Sequence, residues 1–308
     1  MGWIERQTPA KDEIFLDHVG WFVRDLDATR AQLERLGFRV SPENVHMNRM
    51  PDGSRTPSGT YNRVAMLGLG YLEFLASRGD TALAQQHRDQ LARYEGLHLM
   101  AFNSSDVAGE APRLREEGFD MLDPVQMRRP VPAVGGEPEA EGRFVVLRNP
   151  PETMPEGRVQ WCQHLTPDTV WRDTDHPNAI DALTGAVWTV DDVDEALVRY
   201  SRYLRKPATR IEAEAGRIEL DRGSLVLATP AWARQIAPEM QSVEAPAGAL
   251  ITLRSRDLAK TAACFLEAGI DFQRRKDVLA IPPTEMLGVS MLVSGASTLL
   301  DELTCASG

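Results

Sequence analysis

The chain is predicted to adopt an α+β fold built from four copies of one unit, and three observations carry that expectation. One order of elements recurs at regular spacing, an apolar strand followed by a helix opened by an acidic residue, and such self-similarity decides architecture before other signals. Each copy then continues with further apolar, β-compatible strands. Finally, a unit of this size cannot bury a core alone, so the copies should pair.

The first copy is LDHVGWFVRDLDATRAQLERLGF (Leu16 to Phe38) and the second is GLHLMAFNSSDVAGEAPRLREEGF (Gly96 to Phe119). ALTGAVWTVDDVDEALVRYSRYL (Ala182 to Leu204) and GALITLRSRDLAKTAACFLEAGI (Gly248 to Ile270) are the third and fourth. Asp25 stands where a carboxylate can accept the orphan amide hydrogens of a first turn, and Leu26, Leu33 and Leu36 recur on one face behind it. Asp106, Asp192 and Asp257 open the other helices, while Gly37, Gly118 and Gly269 sit where a helix ends on a left-handed residue. After the first helix, RVAMLGLGYLEFLAS (Arg63 to Ser77) reads as two strands joined at Gly68 and Gly70. GRFVVLRN (Gly142 to Asn149) and GRVQWCQHLTP (Gly157 to Pro167) take the same places in the second copy. Asn44 to Ser58, with Pro51, Asp52, Gly53 and Pro57, reads as an irregular link, as does Pro130 to Gly142. The expected divisions are residues 11–167, a linker over 168–180, and residues 181–294.

Composition bounds the partners. At 308 residues, with 43% apolar and 26% charged, the chain has ample core for two units of ordinary size. A formal net charge of -11 repels phosphate backbones and anionic lipid, so neither nucleic acid nor a membrane is an expected partner. No apolar run approaches the ~20 residues that span a bilayer, and MGWIERQTPAKDEIF lacks the plan of a signal peptide, so a cytoplasmic location is expected. Cys162, Cys264 and Cys305 are too scattered for a disulfide framework and read as reduced thiols.

Chemistry is expected in the first half. His18 shares a strand face with Gly20 and Phe22, and His98 shares one with Met100 and Phe102, so both imidazoles belong to apolar faces. Aligned on the helix-opening acids, the place of His98 falls to Thr184 and Ala249 in the later copies. GYLEF (Gly70 to Phe74) and GRVQW (Gly157 to Trp161) align residue for residue and set Glu73 opposite Gln160. A carboxylate in an apolar strand is costly to bury unless it is paired or bound to a metal. Two imidazoles, a carboxylate and an amide oxygen would suit a divalent cation: Fe, Mn, Ni, Zn or Co. His164, about 13 Å along the strand from Gln160, reads as a pocket acid or base or as a strand-end cap. His46 and Arg63 are the candidates for contacting an anionic substrate group. His87 and His176 read as solvated helix and turn, and Cys162 as core.

These residues carry a resemblance. The repeats, a DHV start before a helix near RDLD, and the GYLEF strand resemble the vicinal oxygen chelate superfamily. Within it the chain is most similar to the glyoxalase-like group, on the DHV start, YNRVAML and MPEGRVQWCQHLTPDTVW. The resemblance implies four βαβββ modules paired into two barrel-like cups, as in glyoxalases and extradiol dioxygenases. It places metal ligands on the first and last strands of a module pair, so His18, Glu73, His98 and Gln160 fall on those positions. Gln160 departs from the glutamate that many members carry there. The cup over 181–294 would be degenerate, without metal ligands.

Three functions follow from that resemblance. A metal-dependent lyase or isomerase would polarise a carbonyl or enol oxygen of a small substrate, with Glu73 or His164 transferring the proton. An extradiol-type dioxygenase would use two histidines and a carboxylate on iron. A sequestering protein would hold a small molecule in the same cup without turnover. Modules can pair within a chain or across a homodimer through the same contacts.

Overall fold

A computed structural model describes residues 4–49, 54–131, 133, 139–151, 153–240 and 244–296. The helix-opening acids act as expected: the side chain of Asp25 accepts from the amides of Asp27 and Ala28. Asp106, Asp192 and Asp257 likewise accept from Gly109, Glu195 and Lys260. Each cap fixes where a strand stops and a helix starts. The helix over the third copy ends on Arg205, a non-glycine residue at φ 50°, where the other three end on Gly37, Gly118 and Gly269.

The chain forms four βαβββ modules. The first is β1 (Phe15–Phe22), α1 (Leu26–Arg35), β2 (Asn44–Arg49), β3 (Arg55–Met66) and β4 (Tyr71–Ser77). Helix α2 (Ala82–Arg93) leads to β5 (Gly96–Asn103), α3 (Val107–Glu116), β6 (Val125–Val131), β7 (Ala140–Arg148) and β8 (Arg158–His164). After α4 (Pro167–Val170) come β9 (Ile180–Thr189), α5 (Val193–Leu204), β10 (Ala208–Glu212), β11 (Ala215–Glu219) and β12 (Ser224–Ala228). Helix α6 (Pro230–Ile236) leads to β13 (Ala247–Ser255), α7 (Leu258–Glu267), β14 (Gln273–Arg275), β15 (Val278–Ile281) and β16 (Ser290–Ser294).

Three sequence expectations are corrected here. The stretch from Asn44 to Ser58 is mostly strand: β2 and β3 pair antiparallel around it, although Pro51, Asp52 and Gly53 lie outside the described residues. Likewise β6 and β7 extend to Val131 and from Ala140 into the second link, most of whose remainder lies outside the described residues. His87 is buried on its helix, not solvated, and the turn residue His176 is buried as well. Cys162 and Cys264 are free thiols, and Cys305 lies outside the described residues.

In each module the first strand pairs parallel with the last, as in β1 with β4 and β5 with β8. Modules join through antiparallel first strands, β1 with β5 and β9 with β13. The first cup therefore runs β2-β3-β4-β1-β5-β8-β7-β6. The second repeats the pattern, and β13 touches β5 at Gly248 and Leu97. The Leu67 to Gly70 turn also bridges the halves: Leu69 exchanges backbone hydrogen bonds with Asp181 and Leu183. A Cβ on Gly70, at φ 76°, would sit 2.9 Å from the Asp17 carbonyl oxygen, so that position needs glycine.

The two interiors differ. The second cup is filled by an apolar cluster of Val187, Val226, Leu250, Leu292 and their neighbours, closed by Trp232 of α6, which is 1% exposed. The first cup encloses a cavity of about 720 Å³.

Candidate functional site

Eight strands place alternate residues on the inner face of the first cup. His18 comes from β1, Tyr71 and Glu73 from β4, Leu99 from β5, Arg158 and Gln160 from β8, with Thr60 and Asn62 from β3 and His46 from β2. His18 Nε2 stands 3.5 Å from Glu73 Oε2 and accepts from Gln160 Nε2 at 3.3 Å, while Gln160 Oε1 accepts from Arg148 at 3.4 Å. All three residues are nearly buried.

Behind this trio lies a fully buried carboxylate. Asp17 accepts from His18 Nδ1 at 2.7 Å and from His164 Nε2 at 3.0 Å. Burial opposes its charge, but the charges and hydrogen bonds of His164 and His18 outweigh that and hold the carboxyl well below the usual range. An ionised Asp17 fixes the proton of His18 on Nδ1 and leaves Nε2 free to face Glu73. The Glu73 carboxylate accepts from Asn62 Nδ2 at 2.6 Å. Burial pushes Glu73 up, and His18, His46, the Asn62 hydrogen bond and Arg158 together hold it below its ordinary value. The Tyr71 ring stacks on His18 with centroids 4.2 Å apart.

His98 does not join this site. Its Nε2 donates to the Tyr94 carbonyl at 2.8 Å, and its ring stacks between Tyr94 and Phe22. The register explains why. His18 precedes its helix cap Asp25 by seven residues, whereas His98 precedes Asp106 by eight. Neighbouring side chains in a strand point to opposite faces, so the one-residue offset leaves Leu99 facing the cavity in the place equivalent to His18. Pairing says the same: Gly20 lies beside Glu73 and Ala101 beside Gln160, so Glu73 and Gln160 are true equivalents. By this register the second cup offers Gly185, Val226, Leu250 and Leu292, not Thr184 and Ala249.

The remaining expected residues divide. His46 faces the cavity from a strand, with Nδ1 2.9 Å from the Thr60 hydroxyl. Burial, and then Arg148, Arg158 and Arg129, bring it down to about 4 against the pull of Glu73. Arg63 is elsewhere: its guanidinium donates to Asp27 at 2.7 Å and to the Ser41 carbonyl at 3.2 Å, outside the cavity lining. His164 is also off the cavity wall, tied to Asp17 and ringed by Phe144 and Trp171. Cys162 is core, and burial beside Asp17 and Glu73 pushes its thiol well up.

The donor geometry suits a divalent cation. Adjacent donors around an ion with bonds of about 2.1 Å stand roughly 3.0–3.5 Å apart, as His18 Nε2 and Glu73 Oε2 do, whereas Gln160 turns its amide nitrogen to His18 and would bind an ion only with the amide turned over. Asp17, Cys162 and His164 also bring donor atoms within 4.8 Å of one another. That group fits an ion less well, because both Asp17 oxygens already accept from imidazoles and neither Asp17 nor His164 reaches the cavity.

Residues 16–204 match the family described as glyoxalase-like domain. The chain belongs to that family. This glyoxalase-like chain carries the vicinal oxygen chelate fold, and solved structures share it. A hypothetical protein from Staphylococcus aureus superposes with a TM-score of 0.62 at 9% identity, covering 91% of this chain and 99% of the other. A mutant of 4-hydroxymandelate synthase from Streptomyces coelicolor gives 0.57 at 14%, covering 96% and 98%. A mutant of homoprotocatechuate 2,3-dioxygenase from Brevibacterium fuscum gives 0.52 at 13%, covering 95% and 74%. No curated protein matches the glyoxalase-like chain in sequence. Among the described residues no helix is long and apolar enough to cross a membrane.

Proposed function

We propose that the chain is a divalent-metal-dependent enzyme of the lyase or isomerase type, acting in the first cup on a small oxygenated molecule. The approach of His18 Nε2 to Glu73 Oε2 at 3.5 Å on the cavity wall, with Gln160 beside them, carries this reading. These three residues would hold the cation, with water or substrate completing its shell. When bound, it would polarise a carbonyl or enol oxygen and stabilise the charge that develops there.

The chain's own residues then divide the work. Asp17 fixes the His18 ring and its tautomer through Nδ1. Asn62 anchors Glu73 Oε1 and leaves Oε2 turned toward His18. The Glu73 carboxylate, ionised at neutral pH, is the group suited to take a proton from carbon and return it, through an oxygen not then engaged by the cation. Leu75, Leu99, Phe144 and Val146 supply apolar wall, which limits water around the reacting atoms. His164 serves through Asp17 and not as the proton carrier.

The donor set argues against ring-cleaving oxygen chemistry. That reaction favours two imidazoles and one carboxylate on iron, and Leu99 stands where the second imidazole would be. Metal analysis of the purified protein, followed by reloading after chelation, tests the proposal. A stoichiometric ion lost in His18→Ala and Glu73→Gln is the expected result. Wild-type occupancy in those variants would overturn it, and no metal in any preparation would favour a sequestering role.

A further inference from the structure

The first cup carries more positive charge than its own residues balance. Among the described residues four arginines line it, Arg128, Arg129, Arg148 and Arg158, against one carboxylate, that of Glu73. Arg128 is paired with Glu141 at 2.9 Å. Among the described residues the other three have no carboxylate partner. Arg148 reaches only the Gln160 amide oxygen and the Met127 sulfur, both at 3.4 Å. Arg158 lies over the Phe22 ring and Arg129 over Phe144, each 5.4 Å from the centroid, and Arg129 Nε is buried without a hydrogen bond.

Their placement is concerted. Arg148 pairs with Gln160 across β7 and β8, and Arg158 stands two residues before Gln160 on the same face, about 6.6 Å along the strand. Both therefore flank the proposed donor trio. Half-buried cations without counter-charge are costly to hold, and two placed on either side of one Gln160 repel one another. Such an arrangement is kept where a ligand supplies the missing charge. In the metal-free protein three unpaired guanidiniums against one described carboxylate leave two charges to neutralise, and a bound cation would add to that excess, inside a protein whose net charge is -11.

We infer that the first cup binds a small molecule carrying two negative charges on oxygen, gripped by Arg148 and Arg158 beside Gln160, with Arg129 as a third contact from β6. Guanidinium forks match carboxylate and phosphate oxygens alike, so a dicarboxylate and a phosphate monoester share the required chemistry. This assignment names the substrate class of the proposed enzyme and rests on that site being the working one.

Calorimetric titration of the full chain, stripped of metal by chelator, decides it. The probes are succinate, inorganic phosphate and uncharged succinamide. At least one dianion should bind at least tenfold more tightly than succinamide; succinate alone would mark a dicarboxylate, and phosphate alone a phosphate ester. Arg148→Gln and Arg158→Gln should each weaken that binding at least tenfold while raising the ligand-free melting temperature, because each removes an uncompensated cation. Arg129→Gln, on another strand, should weaken it less. Dianions that bind no better than succinamide, or wild-type affinity in both Arg148→Gln and Arg158→Gln, would overturn the inference. Since the titration is run without metal, dianion binding in a protein that takes up no ion would fail the metal reading alone, and metal uptake without dianion binding would fail this one alone.

Discussion

The Asp17 carboxylate holds Nδ1 of His18 at 2.7 Å, so the residue beside the expected ligand determines which of its nitrogens faces the cup. Asp17→Asn would keep the volume and lose the charge that orients the ring. Outer partners of metal-bound imidazoles are typically worth about 10–100-fold in affinity. A loss of that size, measured by competition with a chelator, is expected with near-wild-type circular dichroism. An unchanged metal affinity would show that Asp17 serves His164 and stability alone.

Acid should destabilise the chain in two separate windows. Burial brings His87 and His98 each down to about 4, against carbonyl hydrogen bonds that pull upward. The unfolded chain takes up these protons near 6.5, so the stability from the neutral rings is complete above ~6.5 and is lost as the pH falls toward 4. Each ring is worth up to about 3 kcal/mol by that linkage. Asp17 is shifted in the same direction, but from a lower starting value: its contribution is complete above ~3.9 and is lost only below that. Urea midpoints should therefore fall between pH 6.5 and 4.5, and His98→Phe should flatten the slope by up to roughly 1.4 kcal/mol per pH unit. An equal slope in that variant would exclude His98 as a contributor.

The second cup should be sensitive to its plug and indifferent to the metal. Trp232 closes the cluster that contains Val226 and Leu250, so Trp232→Ala leaves a cavity costing about 3–5 kcal/mol. Denaturant unfolding would record the loss, while metal stoichiometry in the folded protein should stay at the wild-type value.

Much of this organisation was readable from residues alone, and the exceptions have physical causes. The acids Asp25, Asp106, Asp192 and Asp257 mark strand-to-helix junctions because a cap is a local requirement, and they gave the module order. Glu73 and Gln160 were legible as equivalents because GYLEF and GRVQW keep one register. The misplacement of His98 came from matching histidine to histidine; counting both from the caps would have exposed the single-residue offset that turns a strand side chain around. Strand β2 was missed because NVHMNR alternates only two apolar residues, Val45 and Met47, and runs into the turn-forming Pro51, Asp52 and Gly53, and the first half of β3 because Pro57 demotes a strand reading. Arg158 shares the period-two face of Gln160 and Cys162, a signal in the sequence, but an arginine at a strand start ordinarily reads as solvent-facing. The Trp232 plug depends on where α6 lies against strands of two modules, which no local pattern specifies.

The strongest test of the register is to complete the donor set. Leu99 occupies the place equivalent to His18 and lines the cavity at 1% exposure, one residue after the histidine that is turned away. Leu99→His would put a second imidazole on the face that carries His18, Glu73 and Gln160, giving two imidazoles, a carboxylate and an amide. An added imidazole ligand should raise metal affinity at least about tenfold, the effect of roughly 1.4 kcal/mol. Replacing an apolar core residue with a polar one costs stability when no ion is present, so the variant should melt lower after chelation and regain the difference on reloading. His98→Ala should do neither: metal content stays unchanged, and only stability falls, because its ring packs between Tyr94 and Phe22. If His98→Ala strips the metal while Leu99→His has no effect on affinity, the strand is read one residue out of register and the trio of His18, Glu73 and Gln160 is not the metal centre.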